Sequence, residues 1–297
     1  MRTRRKASFT ADAACAARAH GAAHPDPTLR NPDHLAPRIV GMPFRAMLWP
    51  LVRRRFQSEY ERRAPGVYFH HQARTRYFDD LWLEALAAGT RQFVLLGAGF
   101  DTRAYRFAQR LTDARVFELD HPLTGAEKCR RLRRIAVAPP AHVTYVAIDF
   151  VREPIADRLA ASGCDLAQPT FFLWEGVMPY LTAEAVDATL SLVGRGGNGS
   201  SIAFDYIHKS TLDAPDGDAE RQLDMARDAG EPYQFGVDPP ALPALLERNG
   251  LVLSSTFVAD ELVARYLTGS NGAVWGRTCP FLAVAHARVA GASSVSG

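Results

Sequence analysis

The residues with most chemistry to offer are carboxylates placed where apolar runs end. "FVLLGAGFDTR" carries Gly97 and Gly99 directly after an apolar run, and Asp101 directly before a helix start. "FELDHP" ends its run in Asp120, "AIDF" in Asp149 and Phe150, and "FFLWEGVMPY" in Glu175, with Tyr180 shortly after. Glycines in such a turn let a ligand approach the backbone, and the free N–H groups of the following helix attract anions. Asp101 opposes that, because a carboxylate at a helix start competes with a phosphate. Thr102 also replaces the third glycine of the dinucleotide pattern G-x-G-x-x-G. The alternative reading of Asp101 as a plain helix cap is compatible with the first. Four acids at consecutive strand ends suit a ligand with several donors and positive charge. An acid roughly 20 residues beyond such a turn accepts hydrogen bonds from ribose hydroxyls. Asp120 fits that place, with Glu118 competing from deeper in the same strand.

S-adenosylmethionine has a sulfonium, an ammonium and no phosphate, and it meets these demands. On that reading Asp149 sits near the exocyclic amine of the adenine and Phe150 flanks the ring.

The elements that must position these residues alternate regularly. Strands are expected at 92–96, 114–119, 143–148, 170–174 and 201–207, with helices between them, one of them at 102–111. Thr182 is expected to cap the helix after the fourth strand, and Gly89 to end the one before the first. After the fifth strand the rhythm breaks. "KSTLDAPDGDAE" reads as a loop, "RQLDMARDAG" as a helix, and "DPPALPALLERNG" as a helix capped by Asp238. "LVLSSTFV" and "PFLAVAHARV" close the chain as strands, with no long helix between them, as an antiparallel pair. Strand–helix alternation predicts an α/β fold with a parallel sheet covered on both faces. The expected architecture is a class I methyltransferase, Rossmann-like seven-stranded sheet whose terminal strand is antiparallel. Residues 1–77, proline-broken and arginine-rich, are expected to form an N-terminal helical cap over the active site. Residues 78–297 form the binding domain, with a lid-like insertion near 208–237.

The totals set limits. Hydrophobic residues make up 47% and charged residues 23% of 297, as in a soluble globular protein. No run approaches the roughly 20 apolar residues of a membrane span. The start is basic but has no long apolar segment, so a secretory signal is not expected and a cytoplasmic site is. Cys15, Cys129, Cys164 and Cys279 are scattered, which argues against a metal site or a disulfide framework. The basic runs at 53–55 and 130–134 read as solvated helix faces rather than as a nucleic-acid surface. No nucleic-acid or membrane partner is expected, and the chain is read as a monomer or homodimer.

"RTRYFDD", "LLGAGFDTRAYR", "FELDHP" and "EGVMPYLT" together resemble the leucine carboxyl methyltransferase-like family of S-adenosylmethionine-dependent methyltransferases. The resemblance is strong from Arg74 to Leu181 and loose elsewhere. It implies that Arg74 grips the carboxylate of the cofactor's methionine part. It further implies that Gly97 and Gly99 form the turn under the cofactor and that Asp120 is the ribose acid. Asp149 and Phe150 fall on the adenine side, Glu175 near the amino-acid part, and Tyr180 beside the reacting centre. "GVYFHHQ" departs from the family pattern and places His70 and His71 just before Arg74, with no role to carry over.

Methyl transfer is an in-line displacement, so the protein mainly aligns the partners and excludes water. A carboxylate acceptor is already ionised at neutral pH, whereas a phenol near pKa 10 benefits from a base. His70, His71 and Tyr180 are the candidates for that part, and each also reads as ordinary packing. His121 reads as structural. Tyr233 and Phe235, in "EPYQFG", could wall an acceptor pocket or pack a lid. The expected activity is O-methylation of a carboxylate on a small molecule or peptide, as in natural-product biosynthesis, with release of S-adenosylhomocysteine. The alternatives are hydroxyl O-methylation of an aromatic or polyketide acceptor, and a cofactor-binding regulatory protein without turnover.

Overall fold

The structure, a computed structural model, describes residues 8–150 and 152–291. The basic opening stretch, residues 1–7, lies outside the described residues.

Five helices come first: α1 (Phe9–Gly21), α2 (Ala36–Ile39), α3 (Phe44–Met47), α4 (Pro50–Arg63) and α5 (Val67–Ala87). α5 is one helix of 21 residues, so the chain passes position 77 without a break. It ends as expected, with Gly89 at φ 95°, a conformation open to glycine at little cost. The alternation then begins: β1 (Gln92–Leu96), α6 (Arg103–Arg106), β2 (Arg115–Asp120), α7 (Pro122–Arg134), β3 (Val143–Ala147), α8 (Ile155–Ala161), β4 (Thr170–Trp174), α9 (Ala183–Gly194) and β5 (Ser201–Ile207). The chain finishes with α10 (Lys209–Asp213), α11 (Gly217–Asp228), α12 (Leu242–Glu247), β6 (Leu251–Phe257), α13 (Ala259–Tyr266) and β7 (Leu282–Val289).

The seven strands form one sheet in the order β3-β2-β1-β4-β5-β7-β6. β7 runs antiparallel to both β5 and β6, and the other neighbours pair in parallel. The chain leaves β1 toward β2 and β3, then returns to place β4 on the other side. That reversal opens a crevice beyond the carboxyl ends of β1 and β4, where ligands bind in open α/β sheets.

Side chains alternate across the sheet, as a strand's period of two requires. Phe93 and Leu95 of β1, with Phe171 and Leu173 of β4, join a core with α1, α5 and α13. Val94, Leu96, Phe172 and Trp174 face the opposite way, into a core with α8, α9 and α12. Trp82 of α5 stacks on Phe93 with ring centroids 4.4 Å apart. α5 is thus both part of the N-terminal helical layer and a covering helix of the sheet.

Four local expectations need correction. The helix expected at 102–111 is only α6 followed by a 3₁₀ turn, Ala108–Arg110. "KSTLDAPDGDAE" holds α10 and the start of α11, since its Lys209–Asp213 ion pair at i,i+4 supports a helical turn. Asp238 holds the N-cap position of the 3₁₀ turn Pro239–Ala241, but its side chain makes no capping bond, because its Oδ1 accepts from the Ser210 N–H and hydroxyl. The last two strands pair antiparallel as expected, but the helix α13 lies between them. Thr182 does cap α9, accepting from the Ala185 N–H at 3.3 Å.

Candidate functional site

The glycine turn is built by close backbone approach. The N–H groups of Gly97 and Ala98 both donate to the Leu119 carbonyl, at 2.9 and 2.8 Å. Gly97 has φ 74°, and a Cβ there would lie 2.4 Å from Val177 Cγ2. Position 97 therefore excludes a side chain on two counts. The Gly99 N–H donates to Asp120 Oδ2 at 2.5 Å, and the His121 N–H donates to Oδ1 at 2.6 Å. Two strand ends are locked together by this carboxylate. Glu118, the competing acid, is buried in an ion pair with Lys128 at 2.7 Å, so it serves the interior. His121 caps α7 by accepting from the Leu123 N–H.

Beneath the turn runs a chain of buried ion pairs. Arg18 pairs with Asp33, which Arg106 also faces; Arg106 pairs with Asp79, and Asp79 with Arg103. Arg103 bonds Asp101 and Glu175, and Arg74 bonds Glu175 at 2.9 Å and Asp205 at 2.5 Å. Asp101 also accepts from the Arg103 N–H at 2.7 Å. It thus bonds the first N–H of α6 from one residue before the N-cap position, which Thr102 holds, and its charge is offset by Arg103 rather than left open to a ligand. Burial alone would raise the Glu175 carboxyl, but Arg103, Arg74 and Arg18 outweigh it and hold it well below the usual range. Asp205 moves the other way: burial raises it despite Arg74 and the Gly176 N–H. The chain contains five carboxylates and four guanidiniums, so with all groups ionised it carries a net negative charge.

Above the turn lies a cavity of ≈ 2650 Å³. Asp120, Asp149, Phe150 and Glu175 line the side toward the strand ends, and Tyr180 and Tyr233 line another part. Asp149 faces Arg152 at 3.6 Å. The rings of Tyr180 and Tyr233 meet edge to face at 5.0 Å, and Gln222 donates to the Tyr233 hydroxyl at 2.9 Å. Burial raises both phenols. Phe235 does not line the cavity; it packs against the core with α9 and α12, because the Phe235 N–H turns toward the Pro179 carbonyl.

His70 and His71 also border the cavity. Burial, helped by Arg74, pushes His70 down to about 3, and it pushes His71 well below its ordinary value. His70 lies 3.9 Å from Asp205 Oδ2, and among the described residues neither of its ring nitrogens has a hydrogen-bond partner. His71 Nε2 bonds the Tyr60 hydroxyl at 3.1 Å.

Several site-building residues were not singled out from sequence. Asp205 stands as the lone acid in the apolar run "SIAFDYI", which is a readable signal for a buried partner. Asp79 and Arg103 lie inside the quoted motifs without an assigned role. Arg18 and Asp33 had no local signal. Arg18 anchors α1 by donating to the Phe100 carbonyl at 2.8 Å, and Asp33 accepts from Thr102 at 2.6 Å.

A seven-stranded sheet in this order, with an acid-ringed glycine turn at its reversal point, is the architecture of class I methyltransferases. The leucine carboxyl methyltransferase family model matches residues 12–194, and the chain belongs to that family. A Mycolicibacterium gilvum protein, named as a candidate S-adenosyl-L-methionine-dependent methyltransferase, is 37% identical over 67% of this chain and 65% of its own length. The Bacillus subtilis protein YktD, with the same kind of name, is 32% identical over 64% of this chain and 63% of its own. The chain thus matches somewhat less than two thirds of the length of these relatives. A candidate methyltransferase from Thermobifida fusca has the same fold, with a TM-score of 0.60, 15% identity, and coverage of 96% of this chain and 95% of that one. So does a DUF574 family protein from Streptomyces avermitilis, with a TM-score of 0.58, 17% identity, and coverage of 88% and 97%.

Proposed function

We propose that the protein is an S-adenosylmethionine-dependent O-methyltransferase whose acceptor is a carboxylate of a small molecule or peptide. The observation that carries the donor is the carboxylate-rich ion-pair chain, five carboxylates to four guanidiniums, beneath a glycine turn ringed by Asp120, Asp149 and Glu175. A sulfonium amino acid is stabilised there, and a pyrophosphate is not. The residues fit that cofactor: Asp120 at the strand tip for the ribose, Asp149 and Phe150 for the adenine. Arg74 would hold the cofactor's carboxylate, with Nη2 lying 3.3 Å from where a Gly176 Cβ would stand. The cavity exceeds the ~300–1,000 Å³ of a single small-molecule site, which leaves room for donor and acceptor together.

When bound, S-adenosylmethionine supplies an electrophilic methyl group. The protein's own residues then have three tasks. Arg74 and Glu175 fix the amino-acid end, Asp120 fixes the ribose, and the helices over the turn exclude water from the line of displacement. On this reading residues 1–77 act as the cap, residues 208–237 as a lid, and Tyr180 and Tyr233 wall the acceptor. A cytoplasmic location belongs to the same proposal.

The nearby titratable groups favour a carboxylate over a hydroxyl. A phenol needs a base poised near neutrality, yet His70 at about 3 and the still buried His71 hold protons poorly. Tyr180, raised by burial, stays protonated at neutral pH. A carboxylate needs none of them. The test is the chemistry of the product. Methyl label transferred from S-adenosylmethionine to an acid acceptor should be released by mild alkali, as esters are. A base-stable methyl would assign the hydroxyl reading instead, and tight cofactor binding with no product across acid and phenol panels would assign a binding protein.

A further inference from the structure

The cap carries an exposed surface of which only Met42 touches the cavity assigned to methyl transfer. Around the junction of α3 and α4, four large apolar side chains stand in water: Leu51 is 95% exposed, Met42 71%, Trp49 66% and Val52 45%. A scattered apolar residue on a surface is ordinary, but here four occur within eleven positions. Leu51 follows Pro50 at the start of α4, so Trp49 and Leu51 project together from a helix end. Arg45, Arg54 and Arg55 are exposed beside them. Leu51, Arg54 and Arg55 share one helical face by their i, i+3, i+4 spacing. No aspartate or glutamate occurs from 34 to 58. Among the described residues no carboxylate pairs with Arg45, Arg54 or Arg55, whereas Arg62 and Arg63 at the other end of α4 both pair with Glu59.

We propose that this edge of the cap docks on an anionic lipid bilayer, which replaces the sequence expectation of a merely solvated run at 53–55 and of no membrane partner. Trp49, Leu51 and Met42 would enter the interface, and Arg45, Arg54 and Arg55 would meet the headgroups. Charge complementarity selects the occupant, because an acid-free arginine cluster attracts an anionic surface. The apolar residues select a bilayer over an acidic protein. Trp49, Met42 and Leu51 are 66–95% exposed, as interfacial anchors are, and tryptophan prefers the headgroup level. This is attachment to a surface, not a span; no described helix is long and apolar enough to cross a membrane. Met42 and Phe44 also border the large cavity. The docked face therefore shares an edge with the cavity.

The test is co-sedimentation of the full chain with vesicles, which is independent of methyl transfer. Binding is expected to phosphatidylcholine–phosphatidylserine vesicles, to be weak on phosphatidylcholine alone, and to fall with added salt. Losing two arginines at about fivefold each predicts that Arg54→Glu with Arg55→Glu weakens binding by about 30-fold or more. Trp49→Ala with Leu51→Ala should weaken it comparably. All four positions are exposed except for the helix backbone, so thermal unfolding should stay near wild type and confirm intact folding. Equal binding to both vesicle types, no binding, or indifference to both double variants would overturn the proposal. Concentration-dependent dimers that Trp49→Ala with Leu51→Ala abolishes, without vesicle binding, would reassign the face to a second copy of the chain.

Discussion

Replacing Glu175 by glutamine removes one charge at the junction of two guanidiniums and keeps the side chain's shape. Glu175 Oε1 accepts from Arg74 Nε at 2.9 Å and Oε2 from Arg103 Nη1 at 2.8 Å, with both arginines buried. Breaking a buried pair costs about 3–5 kcal/mol when a charge is left alone; here Arg74 keeps Asp205 and Arg103 keeps Asp79 and Asp101, so the loss is expected at the low end, about 3 kcal/mol. For a chain of this size that is a fall in Tm of roughly 5 °C. The loss depends on pH in a defined direction. The unfolded carboxyl titrates near its ordinary value of 4.5, and the folded one much lower. The stabilisation is thus complete above about pH 5 and fades as pH falls toward the folded value. Wild type and Glu175→Gln should differ most near pH 7 and converge on strong acidification. S-adenosylmethionine affinity should also fall by about 10- to 100-fold, since a charged hydrogen-bond partner is lost. Thermal unfolding and calorimetry across pH measure both. A Tm within about 2 °C of wild type at pH 7, together with unchanged affinity, would refute the reasoning.

Gly97→Ala combines a positive φ with a Cβ 2.4 Å from Val177 Cγ2, so urea unfolding should show a loss of about 1–3 kcal/mol. His70 is held neutral by burial, at about 3 against an ordinary 6.5. Below pH 6.5 the unfolded chain takes a proton that the folded chain refuses, so stability falls with acidification by up to about 1.4 kcal/mol per pH unit. His70→Gln should therefore lose about 2 kcal/mol less than wild type between pH 7 and pH 5; equal slopes would show that His70 is not held neutral. Thr182→Ala removes the α9 cap and should cost about 1 kcal/mol, visible as a lower urea midpoint.

What the sequence shows of this molecule is mostly what strand period and turn chemistry encode. "TFFLW" and "SIAFDYI" coincide with β4 and β5 because an apolar run of that length, bounded by polar residues, has few other uses. Gly97, Gly99, Asp120 and Glu175 were legible because a strand end is marked in sequence. The partners of those residues were not. Arg74 meets Asp205 across 131 positions, and Arg18 of α1 meets Asp33 in the loop before α2, and nothing local specifies either pair. That gap explains the revision of Asp101. Read alone it offers its charge to a ligand; in the fold Arg103 takes that charge, and the electronegative character belongs to the whole ion-pair chain. Helix ends were the weakest point. "TRAYRFAQRL" has helical spacing throughout, yet only Arg103–Arg106 is α-helical, where Arg103 and Arg106 are pulled inward onto Asp79.

The most direct test is a calorimetric titration of the wild-type protein and Asp120→Ala with S-adenosylmethionine. Asp120 joins the glycine turn to the end of β2 and is the residue assigned to the ribose. Binding to wild type and a loss of about 100-fold or more in the variant, with folding intact by circular dichroism, is the predicted result. Absence of binding to wild type, or equal affinity in both, would contradict the placement of the methyl donor at the sheet's reversal point.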